Sequence, residues 1–273
     1  MKRRLLRWKH NVSAITIVLF CILVAANTTA DDGPSPEERG LEIAREAWER
    51  ERGYGDSAAE MYMILRTGTG QEARREMRLR SLEVSENESR ALIIFDAPPD
   101  VRGTALLTHS FNDQEDNQWL YLPAAGAERR IAGGSRSGPF MGSEFAFEDL
   151  SVQRVEHFTY RYIGEETLND TPCHVIERFP ADTASGYKRQ VAWLDKEHYR
   201  VQKVDYYDRR DELLKTLTAE GYQQYEGKFW RPASMTMHNH QNGRSTVLEW
   251  RNITFDNDFT TRMFDRSAIR RAR

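Results

Sequence analysis

Apolar positions follow three rhythms along this chain. The first is a nearly unbroken apolar run over residues 12–26, interrupted only by Ser13 and Thr16. The second has helical spacing. Over residues 36–52, Leu41, Ala44 and Trp48 fall on one stripe among Glu and Arg, and Gly53 ends it. Such a helix either packs as an ordinary layer on a sheet or closes over a concave one, and both readings are open on sequence alone. The third rhythm begins at Ala58 and has period two. Residues 60–65 and 71–84 open it, and 119–122 stops at Pro123, which cannot continue a central strand. Residues 157–167, 173–179, 187–194 and 199–208 continue it. Stretches 213–225 and 230–240 follow, and Asn242-Gly243, a strong hairpin signal, leads into 245–255. The pattern predicts a mainly β domain of about ten or eleven antiparallel strands with a few helices.

Composition gives the first rhythm a meaning. Lys2, Arg3, Arg4, Arg7 and Lys9 precede the apolar run without a single acid, and Thr28-Thr29-Ala30 follow it. A basic start, a short apolar stretch and small residues at the exit define a secretory signal, so cleavage is expected after Ala30. About 15 apolar residues fall short of the roughly 20 that cross a bilayer. Leu19 and Phe20 ahead of Cys21 argue against lipid attachment there, because an acylated cysteine needs small residues before it. The expectation is a periplasmic protein with one domain, residues 31–273. Over those residues 34 Lys and Arg face 42 Asp and Glu, a net charge of −8. That balance excludes nucleic acid as the partner, since phosphate binding needs a basic face. Cys173 is the one cysteine left, so no internal disulfide forms and the core must supply the stability.

Residues 133–150 break the strand rhythm. They hold four glycines and a proline, then Phe140, Met141, Phe145, Phe147 and Leu150 at irregular spacing. Long loops in compact domains are often functional. This one is either a plug for the end of the core or a gate over a cavity. Arg129, Arg130 and Arg136 border it and are placed to meet phosphate or the acids Glu148 and Asp149.

The residues around this segment carry a resemblance. Gln118-Trp119-Leu120-Tyr121-Leu122-Pro123-Ala124, Arg129-Arg130-Ile131, Arg136, Phe140-Met141-Gly142-Ser143-Glu144-Phe145 and Phe147-Glu148-Asp149-Leu150 resemble the signature of the outer-membrane lipoprotein-sorting (LolA-like) family. Trp193-Leu194-Asp195, Tyr206-Tyr207-Asp208, Leu214-Lys215 and Trp230-Arg231-Pro232 agree in order. Glu144 stands where the family usually has Asp, and Phe147 where it usually has Tyr. The resemblance implies a strongly curved antiparallel sheet, an incomplete half-open barrel covered by helices, with an apolar concave face and no catalytic residues or cofactor. It further implies a monomeric carrier of lipid or acylated lipoprotein, loaded by an inner-membrane transporter or delivering to an outer-membrane acceptor.

A carrier of apolar chains needs a lining that adapts, and methionine is flexible and polarisable. Met61 and Met63 share one face of a predicted strand, as do Met235 and Met237. With Met77, Leu79, Trp119, Tyr121, Trp193, Leu248 and Trp250 they are the candidate cavity lining. The same stripe also suits an ordinary core. Other chemistry is weakly signalled. Gly142-Ser143-Glu144 lacks the second glycine of a nucleophile elbow, even with His109 or His157 offered as base. His238 and His240 share a strand face without an indicated third metal ligand. A non-catalytic adaptor of a membrane transporter, its concavity filled by its own side chains, is the alternative to the carrier.

Overall fold

The computed structural model describes residues 33–271, and the segment 1–30 read as a secretory signal lies outside that range. The first element is helix α1 (Pro36–Glu51). Its start is fixed locally: the Ser35 hydroxyl accepts from the Glu38 N–H at 3.2 Å while the Glu38 carboxylate accepts from the Ser35 N–H at 2.8 Å, with Pro36 behind the cap.

Strands then follow in series: β1 (Asp56–Arg66), β2 (Glu72–Ser85), β3 (Glu88–Ala97), β4 (Ala105–Phe111), β5 (Asn117–Leu122) and β6 (Ala127–Ile131). After the irregular segment come β7 (Phe158–Leu168), β8 (Thr171–Pro180), β9 (Tyr187–Asp195), β10 (Val201–Asp208) and β11 (Leu213–Glu220). The last are β12 (Gln223–Tyr225), β13 (Phe229–Arg231), β14 (Ser234–Asn239) and β15 (Ser245–Phe255), and a short helix α2 (Arg266–Ile269) ends the described chain. Fifteen strands stand where the pattern predicts ten or eleven. Two long predicted stretches are each divided: Gly221, with φ of 67°, turns the chain between β11 and β12, and Pro232, which has no N–H to give a ladder, separates β13 from β14.

Thirteen strands form one antiparallel sheet in the order β6-β5-β4-β3-β2-β1-β15-β14-β11-β10-β9-β8-β7, and β12 pairs with β13 apart from it. The terminal strands β6 and β7 do not pair, so the sheet is not closed into a barrel. It is nonetheless strongly curved. Gln118 on β5 and Tyr187 on β9 are nine strands apart, about 43 Å along a flat sheet. Yet Gln118 Nε2 bonds the Phe147 carbonyl at 3.0 Å and the Tyr187 hydroxyl bonds Asp149 at 2.8 Å. Two residues of chain span at most about 7 Å, so the two halves must curl toward each other.

Register sorts side chains onto two faces. Across the sheet, Leu120, Leu106, Ile93 and Leu79 are successive partners, then Met77, Met61 and Trp250, then Leu248 and Met235. These lie on the inner, concave face and belong to one continuous apolar core. On the outer face, Leu92, Ile94, Ala105 and Leu107 are covered by the C-terminal chain, whose Phe264 and Ile269 are fully buried against them. Helix α1 lies directly on β7: a Cβ at Gly40 would stand 2.8 Å from the Tyr162 nitrogen, so only glycine permits this approach. No helix among the described residues is long and apolar enough to cross a membrane.

Candidate functional site

Residues 133–150 enter the concave face as short 3-10 turns rather than lying over it as a loose loop. The Phe140 N–H donates to the Phe145 carbonyl at 2.7 Å, closing a tight hairpin with Pro139 bridged to Ala146. Met141 (φ 49°) and Gly142 (φ 77°) make its tip, and Arg75 of β2 donates to the Met141 carbonyl there. Within this frame Phe140 is fully buried between Phe95 of β3, at 5.7 Å between centroids, and Phe147, at 5.5 Å. The segment is thus a plug of three aromatic rings (Phe140, Phe145, Phe147) seated in the core.

Its polar groups fasten it to both halves of the sheet. Asp149 and Lys215 of β11 form an ion pair at 2.7 Å, with side chains only 4% and 5% exposed. Asp149 also accepts from its own Ala146 N–H and from the Tyr187 hydroxyl, and Lys215 donates to the Glu144 carbonyl at 2.9 Å. Glu144 accepts from Asn239 of β14 at 2.8 Å and pairs with Arg244 at 3.2 Å. Glu148 accepts from the Ser185 hydroxyl at 2.7 Å and the Gly186 N–H at 2.9 Å. Burial raises the Glu148 carboxyl above its ordinary range despite those two bonds. The Tyr187 phenol rises well above its usual value, first through burial and then through the charge of Asp149. The arginines expected at Glu148 and Asp149 are not their ion-pair partners, although the charge of Arg136 acts on Glu148. Arg136 pairs with Asp182 at 3.2 Å, and Arg130 lies on the outer face at the sheet edge, bonded to Asn117. Lysine, from a strand some 66 residues away, is the partner of Asp149.

The expected lining residues divide by face. Met61, Met63, Met77, Leu79, Met235, Met237, Leu248 and Trp250 are on the inner face. Met63 and Met237 show no exposure and Met77 2%, so beside the plug these methionines are close-packed core. Trp119, Tyr121 and Trp193 are a correction, because they face outward. On β5 it is Gln118 and Leu120 that turn inward, and Trp119 and Tyr121 pack under the C-terminal chain. Trp193 packs with Cys173, Val175 and Val191, its indole N–H donating to Glu166 at 2.8 Å. Alternation on a strand with apolar residues on both faces does not say which set is inside. Of the groups considered for other chemistry, Ser143 is buried in the plug, whereas His109 bonds the Phe264 carbonyl on the outer face. His240 bonds Thr216 beside His238.

Open space exists on the inner face away from the plug. A hollow of about 340 Å³ lies beneath α1, walled by Ala44 and Trp48 of the helix, Ile176, Ala192 and Leu194 of the sheet, and Trp230. Met235 alone of the expected lining residues borders it. The helix is pinned over the hollow at its C-terminal end. Glu51 pairs with Arg231, Arg50 donates to the Glu197 carbonyl at 2.8 Å, and the Arg50 guanidinium lies 4.6 Å over the Tyr199 ring. A covering helix was one of the two sequence readings of residues 36–52, but its counterparts Tyr199, Trp230 and Arg231 carry no local signal that points to it. The arrangement offers an apolar compartment, a covering helix and an aromatic plug. Among the described residues no group of three metal-ligating side chains is assembled.

A family model described as an uncharacterized protein matches residues 87–271. A solved domain from Vibrio parahaemolyticus, named for outer membrane lipoprotein sorting, is 46% identical, with a TM-score of 0.84 over 86% of this chain and 99% of that one. A DUF1329 family protein from Desulfovibrio piger is 30% identical, with a TM-score of 0.82 over 86% of this chain and all of that one. A LolA superfamily protein from Nitrosomonas europaea shares the fold at 18% identity and a TM-score of 0.67, over 84% of this chain and 98% of that one. No curated protein matches the chain.

Proposed function

The chain belongs to the LolA-like outer-membrane lipoprotein-sorting family, and from that premise we propose that it is a periplasmic carrier sheltering acyl chains of a lipid or lipoprotein between membrane complexes. The family fold supports a carrier-type role, and the observation that carries the finer reading is the apolar hollow beneath α1, on the same concave face that holds the plug. Its 340 Å³ is at the small end of ligand pockets. A long acyl chain therefore needs the space that Phe140, Phe145 and Phe147 occupy. Withdrawing three buried rings costs roughly 5–9 kcal/mol, at about 1.5–3 each. Sheltering about 15 methylenes from water returns roughly 12 kcal/mol, at ~0.8 each. Adding about 3 kcal/mol for the buried Asp149–Lys215 pair brings the cost close to the return, so plug and cargo compete on nearly even terms.

The test is native mass spectrometry of residues 31–273 purified from a bacterial periplasm without detergent, followed by lipid extraction of the same sample. Discrete added masses matching extractable lipid or acyl species are expected. A second reading, a non-catalytic adaptor of a membrane transporter, is favoured by the filling of the plug half with the protein's own side chains. It predicts a single clean mass and no uptake after incubation with membranes, and that result would sink the carrier.

A further inference from the structure

Strand pairing places a polar row across the inner face. Tyr160 on β7 is opposite Arg178 on β8, Arg178 is opposite Gln190 on β9, Gln190 opposite Tyr206 on β10, and Tyr206 opposite Lys215 on β11. The adjoining row, two residues along each strand and so about 7 Å away, is Tyr162, Ile176, Ala192, Val204 and Leu217. One row is apolar and the next carries two cations.

The two cations are treated differently. Lys215 is matched by Asp149 of the plug at 2.7 Å. Arg178, which borders the hollow beneath α1, has no carboxylate within ion-pair distance among the described residues. Its Nε donates to the neutral Gln190 Oε1 at 2.7 Å, and its guanidinium lies 4.8 Å over the Phe158 ring. The acids around its neighbours are engaged elsewhere: Glu177 pairs with Arg161 and Arg189, Asp149 with Lys215, and Glu148 accepts from Ser185 and Gly186, while Glu156 beside Tyr160 makes no ion pair with Arg178. Arg178 is half-buried and its guanidinium is open to the hollow, so an anion seated there gains a charge-assisted contact without first breaking an ion pair. Beside it, burial raises the phenol of Tyr160 to about 12 and that of Tyr206 higher, so both remain hydroxyl donors.

We propose that this row is a headgroup seat: Arg178 receives the single negative group, carboxylate or phosphate, of an amphiphile whose alkyl chain enters the hollow beneath α1 and continues into the space the plug yields. The proposal rests on the carrier reading and narrows its cargo to anionic amphiphiles. Arginine suits the task because its fork meets either oxyanion through two parallel N–H bonds.

The experiment compares three probes with the same 16-carbon chain, hexadecanoate, hexadecyl phosphate and hexadecanol, titrated calorimetrically below their aggregation limits into the chain of residues 31–273. At least one anionic probe is expected to bind about tenfold tighter than hexadecanol, or more, and the tighter of the two anions identifies the headgroup as carboxylate or phosphate. Arg178→Gln should erase that preference while leaving hexadecanol affinity in place. Arg178→Lys, which keeps the charge but not the fork or the planar stacking, should retain only part of it. Equal binding of all three probes by the wild-type chain overturns the headgroup seat and leaves the carrier standing. Binding of none overturns the carrier and the seat with it. The wild-type comparison decides the matter even if the glutamine variant does not fold.

Discussion

Lys215→Met is the sharpest probe of how the plug is held. The Lys215–Asp149 pair is buried at both ends, with N···O at 2.7 Å, and joins the plug to the central strands. Truncating one partner of a buried pair leaves an unmatched charge and typically costs about 3–5 kcal/mol. Here the lower end applies, about 3 kcal/mol, because Asp149 keeps the Ala146 N–H at 2.7 Å and the Tyr187 hydroxyl at 2.8 Å. The Glu144 carbonyl loses its lysine donor in the same substitution. For a domain of this size the loss corresponds to a fall in Tm of roughly 6–12 °C. Urea unfolding followed by tryptophan fluorescence reads it directly. Adding Asp149→Asn removes the stranded charge, so the double variant should regain at least half of the loss. A single-variant loss below about 1 kcal/mol, or no recovery in the double variant, would refute the view that this pair is a buried latch rather than a solvated surface contact.

Three other outcomes are expected. Phe140→Ala should lower stability by about 3–5 kcal/mol, as truncation of a fully buried ring does; if the plug occupies cargo space, hexadecanol binding should tighten, and an unchanged affinity would mark Phe140 as core alone. Glu148→Gln tests a pH dependence. Burial holds the Glu148 carboxyl above its ordinary value, so the folded chain binds that proton more readily than the unfolded chain and stability rises as pH falls. Relative to Glu148→Gln, the wild-type chain should gain stability as pH falls from neutral toward the ordinary glutamate value, and a difference that moves the other way contradicts the assignment. Phe264→Ala, on the outer face, should cost about 3–5 kcal/mol in urea unfolding and leave probe binding unchanged, since the C-terminal chain does not reach the hollow.

What the sequence makes legible here follows the range of the physics involved. Helix α1 is readable because Leu41, Ala44 and Trp48 fall on one stripe within a few turns and Gly53 ends it, whereas its Ser35–Glu38 cap emerges only in the structure. Strands are readable from period-two alternation, and the inward set Met61, Met63 and Met77 is found correctly because its neighbours Glu60, Tyr62 and Glu76 are polar or amphipathic. Trp119 and Tyr121 are misplaced because β5 is apolar on both faces: the outer face there is not solvent but the C-terminal chain, more than 130 residues away in sequence. Period two cannot weigh one hydrophobic cover against another. The same limit hides the Asp149–Lys215 pair and the Arg178 row, which exist only once β8, β9, β10 and β11 are in register.

That limit bears on how the plug and the cargo compete. Filling the plug half of the concave face with Phe140, Met63, Met77 and Met237 looks like an ordinary core, yet an ordinary core does not need a buried ion pair to fasten one loop into it. Well-packed apolar residues of similar volume would hold the segment as firmly or more so, since desolvating Lys215 and Asp149 offsets most of their attraction. An ionic fastening differs from an apolar one in what it selects. It fixes the plug in one register, and it leaves Lys215 as a second bare cation on the polar row once the plug withdraws. An anionic amphiphile entering at Arg178 would then meet a row whose charge has grown by one, so that opening the plug itself strengthens the hold on the cargo.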